Sequence, residues 1–280
     1  MSTEEAHRHD PNRQLRDVVA LAVLPAMWAE ADPIRIAESL AGALFENLGA
    51  DLVYVSLMPG VGCAPISVAQ TERHVTQPEI SQHFGPRILE WSLAHAPEEL
   101  MLLPNPKGSG TLRISAHALG QRAELGVVAA GFVEDESPGD FHQLLLTVAA
   151  SQAAAATRNI RLVQSLRQRT NQYQTLFNQS PLGIYLVDGD FRIRQINPVA
   201  RGAFGDIPGL IGRDFDEVSH LLWEDVDADE ILNLFRQTLT TGQPYIAAER
   251  AVFRRDRGAV EYYEWRLDRI TLPDGGFGVL

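Results

Sequence analysis

The residue types that usually carry catalysis or bind metals are few and scattered in this sequence. There is one cysteine, Cys63, and there are eight histidines. No two histidines stand at metal-ligand spacing on one predicted helix, and His142 and His220 are interpreted as solvated or hydrogen-bonded helix residues. The phosphate-binding GxxxxGK, zinc-binding HExxH and redox CxxC patterns are also missing. The sequence therefore predicts no catalytic residues and no metal site.

Composition and charge argue against several classes of protein. The 280 residues carry a net charge of −12, which disfavours binding to nucleic acid or to anionic lipid. No apolar run approaches the roughly 20 residues that span a bilayer, and the polar N-terminus lacks the apolar core of a signal peptide. A single cysteine allows no intrachain disulfide and fits a reducing compartment. We expect a disordered tail at residues 1–12, a cytoplasmic location and no membrane span within this segment.

Residues 140–177 are predicted to form one helix of about ten turns. The stretch contains no proline or glycine and is rich in Ala, Leu, Gln and Arg, which favour helices. Apolar side chains recur along it at nearly seven-residue spacing: Leu145, Val148, Ala155, Leu162, Leu166, Tyr173 and Leu176. This pattern predicts a connecting helix, residues 141–177, that forms a coiled coil with a second copy. The seam of a parallel homodimer would consist of Leu162, Leu166, Tyr173 and Leu176.

The charge of this helix has a second interpretation. No Asp or Glu occurs from Phe141 to Val187, and four arginines stand in the same stretch: Arg158, Arg161, Arg167 and Arg169. A basic surface of this kind is typical of nucleic-acid binding. A solvated coiled-coil flank is favoured instead, because such binding needs a broad basic field and the chain is acidic.

The chain before the long helix alternates helical and extended patterns. Helices are predicted at 13–28, 33–48 and 77–95, with Pro25 ending or bending the first and Gly49 ending the second. Strands are predicted at 51–58, 66–71, 98–103, 111–117 and 122–133, the last being the most apolar and therefore central. The order predicts an α+β domain over residues 13–140, with an antiparallel sheet covered by helices on one side.

The end of this part carries a family resemblance. The segment VVAAGFVEDESPGDFHQLLLTVAASQAAAATRN, together with the element order, resembles a GAF domain, a sensory module of signalling proteins. Some members hold cyclic nucleotides or bilins, but the surroundings of Cys63 do not match a bilin-attachment segment, and no cyclic-nucleotide motif is found. Polar candidates for another small-molecule pocket are interpreted as ordinary surface or core-edge residues: Tyr54, His74, His83, Trp91 and Arg113.

The chain after the long helix has more specific turn signals. A strand at 182–187 is followed by Asp188-Gly189, a hairpin signal that accepts a positive φ, and by a second strand at 191–196. Asn197-Pro198 predicts a helix cap, and a helix at 228–241 is predicted to end at Gly242. Two long strands, 245–255 and 259–271, are predicted to form a half-buried antiparallel hairpin, and Phe277 begins a last strand.

These pieces resemble a PAS domain; the resemblance covers about residues 172–280, and the domain itself is placed at residues 178–280. The resemblance rests on LFNQSPLGIYLVD, FRIRQINPVARGAFG, LIGRDFDEV and FRQTLTTGQPY, which occur in the family's order and spacing. In haem-binding members a histidine comes from the helix that is 228–241 here, which has none, and flavin photoreceptors need a cysteine in this domain. No cofactor is therefore expected, and haem, flavin and bilin are all disfavoured.

An apolar pocket beneath the second sheet is one candidate binding site. It would be lined by Ile184, Ile193, Phe204, Phe235 and Trp265. The alternative, a core filled by these side chains, is favoured from the sequence alone. Binding of an unidentified small molecule is kept as an alternative.

Together the two resemblances imply a fold and a function. The expected fold class is α+β, with two domains, each an antiparallel sheet flanked by helices, joined by the long helix. The expected function is the sensory input region of a signal-transduction protein, most often a sensor histidine kinase of a two-component system. The alternatives are a ligand-free interaction or dimerisation module, or the input region of a cyclic-dinucleotide enzyme or transcription regulator. The last strand stops at Leu280 after a few residues, so we also expect a fragment of a longer protein.

Overall fold

The computed structural model describes residues 11–28, 31–60, 62–72, 75–76, 78–133, 138–205 and 207–280. Residues 1–10 of the predicted tail, and the pocket candidate His74, lie outside the described residues. The chain divides into two compact units, which we call the first domain (up to Arg167) and the second domain (from Gln168). The division falls inside the predicted connecting helix. No helix among the described residues is long and apolar enough to cross a membrane.

The described residues of the first domain form four helices and six strands. The helices are α1 (Pro11–Met27), α2 (Pro33–Leu48), α3 (Pro78–Ala94) and the first part of α4 (Asp140–Gln179). The strands are β1 (Leu52–Leu57), β2 (Ile66–Glu72), β3 (Val75–Thr76), β4 (Met101–Pro104), β5 (Thr111–Leu119) and β6 (Gly126–Val133). They form one antiparallel sheet in the order β3-β2-β1-β6-β5-β4. The predicted central position of β6 is confirmed.

The prediction that helices cover one side of this sheet is wrong, because helices pack on both faces. Val53 and Val55 of β1 join a core that includes residues of α1, α2 and α4. Leu52 and Tyr54, on the opposite face of the same strand, join a core with Phe84 and other residues of α3. All six residues of β1 are buried as a result.

Helix α4 is continuous over 40 residues, as predicted. Its buried positions cluster in the first half: Leu145, Leu146, Ala149, Ala150, Ala153, Ala154 and Thr157. Ala155, predicted on the apolar stripe, is exposed. The burial shows that the first half of α4 is a core helix of the first domain, whereas its second half exposes its apolar side chains.

The second domain contains the end of α4 and the remaining elements. The helices are α5 (Pro198–Phe204), α6 (Phe215–Leu222) and α7 (Asp225–Thr241). The strands are β7 (Tyr185–Asp188), β8 (Ile193–Ile196), β9 (Tyr245–Arg254), β10 (Ala259–Leu267), β11 (Arg269–Thr271) and β12 (Phe277–Val279). Their antiparallel pairings form one group in the order β11-β12-β7-β8 and the hairpin β9–β10.

Local turn chemistry explains most boundaries of the second domain and corrects two predictions. The predicted strand 259–271 is interrupted at Asp268, which separates β10 from β11. The positive φ of the β7–β8 turn falls on Phe191, at 59°, and not on Gly189. The Asp188 carboxylate holds this turn by accepting hydrogen bonds from the backbone N–H groups of Asp190 and Arg192, at 3.0 and 2.8 Å.

Candidate functional site

The second domain contains a partly open cavity of about 230 Å³, lined by residues of its helices and of the hairpin β9–β10. Six aromatic side chains contribute to the wall: Tyr185, Phe204, Trp223, Phe235, Tyr263 and Trp265. Edge-to-face and offset contacts between aromatic rings hold this wall together. The ring centroids of Tyr185 and Phe204 are 4.9 Å apart at an interplanar angle of 82°.

Three of the five pocket residues expected from the sequence lie in this wall: Phe204, Phe235 and Trp265. Ile193 is fully buried in the core and does not line the cavity. Ile184 is half-buried and does not line it either. The structure thus brings together the aromatic members of the predicted set, while binding of a ligand stays a prediction.

The buried Asn197 side chain positions one side of the cavity. Its Oδ1 accepts hydrogen bonds from the backbone N–H groups of Ala200 and Ile184, both at 2.9 Å. Its Nδ2 donates to the carbonyl oxygens of Phe177 and Leu182, at 3.1 and 2.8 Å. One amide therefore caps α5 and also fixes the approach to β7, which is more than the predicted helix cap.

Two tryptophans that line the cavity have a buried indole N–H group. The Nε1 atoms of Trp223 and Trp265 have no hydrogen-bond partner among the residues that the structure describes, and Trp91 of the first domain is in the same state. Trp223 is only 8% exposed. A buried donor without an acceptor costs about 1–3 kcal/mol.

Arg254 is the buried cation of the cavity wall. Its guanidinium makes two hydrogen bonds to Asp256, Nε to Oδ1 and Nη2 to Oδ2, both at 2.8 Å. Nη1 donates to the Tyr263 hydroxyl at 2.6 Å, and the Glu261 carboxylate lies 3.5 Å away. Hydrogen bonding to Arg254 lowers the pKa of Asp256, so this pair stays charged at neutral pH.

Tyr185 adds a neutral hydroxyl to the wall. Burial raises the pKa of Tyr185 above its ordinary value. Its ring also lies 6.0 Å from that of Phe235, measured between centroids. The cavity wall is thus largely apolar and aromatic, and the cation among its lining residues is already neutralised. This arrangement is suited to holding a small molecule.

The polar candidates of the first domain are held in separate places. Tyr54 is buried and donates to Ser67 at 3.2 Å, while the Trp91 indole stacks on His95 with centroids 3.5 Å apart. His83 and Cys63 are exposed. Among the described residues, no group of three or more His, Cys, Asp or Glu side chains is placed to hold a metal ion.

Sequence reasoning missed a buried histidine in the first domain. His117 is 5% exposed, and its Nε2 lies 3.1 Å from Oε1 of Gln143. Burial lowers the pKa of His117, against a smaller opposing effect of the hydrogen bond to Gln143. The alternation of side chains along β5 could have indicated this histidine, because it puts Ser115 and His117 on the face opposite Leu112 and Ile114.

All four predicted seam residues of α4 are exposed, at 59% for Leu162, 54% for Leu166, 52% for Tyr173 and 72% for Leu176. Tyr173 also has contacts inside the second domain, because its hydroxyl donates to Gln195 Oε1 at 2.8 Å. Val163, 46% exposed, was not among the predicted seam residues.

Residues 177–280 match the family model described as the PAS fold. The second domain is therefore a PAS domain, as the sequence pattern predicts. No curated protein matches the chain.

Solved structures are similar to both parts of the chain. One is a domain of the sensory box sensor histidine kinase/response regulator from Geobacter sulfurreducens, 27% identical with a TM-score of 0.29, covering 41% of this chain and 94% of that one. A GAF domain from Pseudomonas syringae pv. tomato is 16% identical with a TM-score of 0.37, covering 57% and 99%. The E. coli DhaR(N)-DhaL complex contains a chain 13% identical with a TM-score of 0.40, covering 92% and 88%. The similar solved structures also include a PAS domain of an HTR-like protein from Haloarcula marismortui, 23% identical with a TM-score of 0.32, covering 41% of this chain and 92% of that one.

Proposed function

We propose that this chain is the cytoplasmic input region of a signal-transduction protein, and that its PAS domain binds a small molecule in the aromatic cavity. The observation that carries the proposal is the cavity of about 230 Å³, which six aromatic side chains line and which has room for a small molecule.

The second half of α4 supports a parallel homodimer as the output path. Leu162 and Leu166 are four residues apart, Tyr173 and Leu176 three apart, and Arg169 falls between the two pairs at a heptad core position. A single polar residue at such a position sets the register of a coiled coil at some cost in stability. Ligand binding would shift the equilibrium between two arrangements of the paired helices.

The identity of the output rests on the sequence resemblance. The PAS and GAF patterns are those of sensor proteins, and the input region of a sensor histidine kinase is the proposed parent. A transcription regulator or a cyclic-dinucleotide enzyme is the alternative, because the same modules serve several outputs.

Ligand binding is tested by screening small molecules against thermal unfolding of the 280-residue protein. A ligand at 100 times its Kd stabilises the folded state by about 2.7 kcal/mol, which raises the Tm. The matched control is Ala203→Met, which places a flexible side chain into the cavity wall. We expect compounds that stabilise the original chain and not the variant. Equal stabilisation of both would show that the compound binds outside the cavity, and stabilisation of neither would leave the ligand-free interaction module as the better account.

Dimerisation is tested by light scattering across the micromolar range. The unaltered chain is expected to be dimeric. The Leu166→Glu variant is expected to be monomeric, because it places the carboxylates of the two copies opposite each other in the seam. Leu102→Glu is the control, since Leu102 is 56% exposed on β4 of the first domain. A monomeric unaltered chain would rule out the relay through paired helices.

A further inference from the structure

The sheet of the first domain has an open edge along the second half of β5. Strand β4 pairs with β5 only as far as Ile114, whereas the pairing of β5 with β6 continues to Leu119. In an antiparallel ladder, residues two apart direct their backbone N–H and C=O groups to the same side. The carbonyl oxygen of Leu119 faces β6, because it accepts from the backbone N–H of Leu125 at 3.0 Å. The backbone groups of Ala116 and Ala118 therefore point to the open side.

This open edge is partly withdrawn from water. Ala116 is 3% exposed, and Ala118 is half-buried. Among the residues that the structure describes, no backbone group pairs with either alanine outside the strand ladder. Unpaired peptide groups that water reaches poorly are costly, and the open edge of a strand readily accepts another extended chain.

A groove of about 490 Å³ lies along the open edge. We call it the edge groove, and its lining includes Ala116 and Ala118 of β5, Ser92 and His95 at the end of α3, and Ser151 and Arg158 of α4. Helices α3 and α4 pack on opposite faces of the sheet, so they flank the groove as they flank the strands already present. An extended chain in the groove would continue the sheet where β4 has ended.

The charge of the edge groove favours an acidic occupant. Among the described residues that line it, Arg158 carries a permanent charge and there is no Asp or Glu. Glu98 and Glu124 act on His117 and Arg158 from outside the lining. Arg158 is exposed, so an acidic side chain of the occupant is able to pair with it at the surface.

We propose that the edge groove binds a short extended segment of another protein that carries acidic side chains, and that this segment adds a strand to β5. Its backbone pairs with the N–H and C=O groups of Ala116 and Ala118, and an acidic side chain lies beside Arg158. Backbone pairing supplies the affinity in this mode of recognition, and side chains supply the selectivity. The site is independent of the PAS cavity, so the failure of either proposal leaves the other intact.

Three synthetic pentapeptides separate backbone pairing from charge. The acidic peptide is acetyl-Thr-Glu-Thr-Glu-Thr-amide. The methylated peptide has the same side chains but carries a methyl group on every backbone nitrogen, and the basic peptide has lysine in place of both glutamates. Binding is followed in the full chain, labelled with ¹⁵N-alanine, at the amide signals of Ala116 and Ala118. Ala129 and Ala130 of β6, which already lie inside the ladder, are the internal controls.

The expected result is specific to two amide signals. The acidic peptide should move the Ala116 and Ala118 signals downfield, as new hydrogen bonds do, and leave Ala129 and Ala130 unchanged. The methylated peptide should bind at least about tenfold more weakly, because its backbone donors are gone. The basic peptide should bind about threefold more weakly than the acidic one, and Arg158→Gln should remove this difference.

A pair of variants tests the edge of β5 itself. Ala118→Pro removes the outward N–H and keeps the ladder with β6, because proline is tolerated where the N–H faces away from the sheet. It should weaken binding of the acidic peptide about tenfold. Ala118→Ser keeps the N–H and adds one small atom, so it should bind the peptide as the unaltered chain does. If Ala118→Pro does not fold, the methylated peptide makes the same test on the unaltered chain.

Each contrary outcome removes a stated part of the proposal. Equal binding of the acidic and methylated peptides would overturn strand addition, and equal binding of the acidic and basic peptides would overturn the acidic class. Unchanged Ala116 and Ala118 signals with all three peptides would overturn the site. A lower molar mass of Ala118→Pro in light scattering, without peptide, would show that a second copy of the chain covers the edge and would also overturn the proposal.

Discussion

The two domains bury their strands in different ways. In the first domain, β1 and β6 are buried along nearly their whole length, because helices cover both faces of the sheet. In the second domain, the hairpin β9–β10 alternates between buried and exposed residues, so one face is covered. The covered face of the hairpin borders the aromatic cavity. The comparison indicates that the first sheet is packed by helices on both faces, whereas the hairpin of the second domain is covered on the one face that borders the aromatic cavity.

The largest expected effect is on the packing of the first domain. Gly126 has a φ of 126°, and a Cβ there would lie 1.9 Å from the carbonyl oxygen of Ser56. Gly126→Ala must move the backbone of β1 as well as adopt a strained φ, so we expect it to lower the free energy of unfolding of this domain by about 3 kcal/mol or more. Urea unfolding followed at the indole resonances of Trp28 and Trp91 measures this.

Gly108→Ala is the matched control for that variant. Nothing lies within 4 Å of a Cβ at Gly108, and its φ is outside the left-handed region. A control that destabilises as much as Gly126→Ala would show that the close approach of β6 to β1 is not the cause.

A smaller effect is expected at the buried ion pair of the second domain. Arg254→Met removes the guanidinium that donates two hydrogen bonds to Asp256 and lies 3.5 Å from Glu261, which keeps its 2.6 Å contact with Arg257. Because these carboxylates keep partial access to water, at 29% and 28% exposure, the expected loss is about 2 kcal/mol and not the full cost for a buried charge. Urea unfolding read at Trp223 and Trp265 measures it.

Arg266→Met provides the comparison for Arg254. The Arg266–Asp268 pair is exposed, and exposed pairs contribute about 0–1 kcal/mol. If both variants lost the same stability, the burial of Arg254 would not explain its role.

The pH dependence of the first domain should follow His117. Burial lowers the pKa of His117 below 6.5, opposed by the hydrogen bond to Gln143 and by Glu98. Above about pH 6.5 the residue is neutral in both states; as the pH falls below that value, the unfolded chain takes up the proton more readily, so the domain loses stability. The free energy of unfolding of the first domain should decrease as the pH is lowered from 7.5 to 5.5, and His117→Gln should make it less dependent on pH.

The stability of the second domain should depend on pH in the opposite direction, and this effect should be the smallest of those predicted. The hydrogen bond to the Asp216 carbonyl raises the pKa of His220, burial opposes this, and the carboxylates of Asp216, Asp229 and Asp225 raise it further. Its contribution is fully present below about pH 6.5 and is lost as the pH rises through the folded-state pKa. Unfolding of the second domain should therefore become slightly easier from pH 6 to pH 8, and His220→Gln should remove that trend. A decrease in stability on acidification of both domains would contradict the assignment.

Sequence reasoning succeeded where the signal is local. The Asn197-Pro198 cap, the helix ends at Gly49 and Gly242 and the length of α4 all depend on residues within a few positions of one another. The β7–β8 turn shows the limit, because the Asp188 side chain holds the turn and moves the positive φ to Phe191.

The remaining features depend on distant parts of the chain. Trp223 and Arg254 face the cavity only because α6 ends beside β9, where an isolated backbone bridge joins the two residues. The sequence offers no local mark for a buried arginine in an alternating strand. The sequence did not predict that helices pack on both faces of the first sheet, for a related reason. The side chains on both faces of β1 are mostly apolar, and which helix packs on each face depends on the tertiary fold.

Hydrogen–deuterium exchange of the full chain, peptide by peptide, with and without a compound that stabilises the chain in the thermal-unfolding screen, tests whether the PAS cavity is the binding site. We predict slower exchange in peptides that contain α5, the α6–α7 junction and β9–β10, and unchanged exchange in β5 and β6 of the first domain. Slower exchange in the first domain alone, or no change anywhere at a saturating concentration of the compound, would contradict the assignment of the PAS cavity as the binding site.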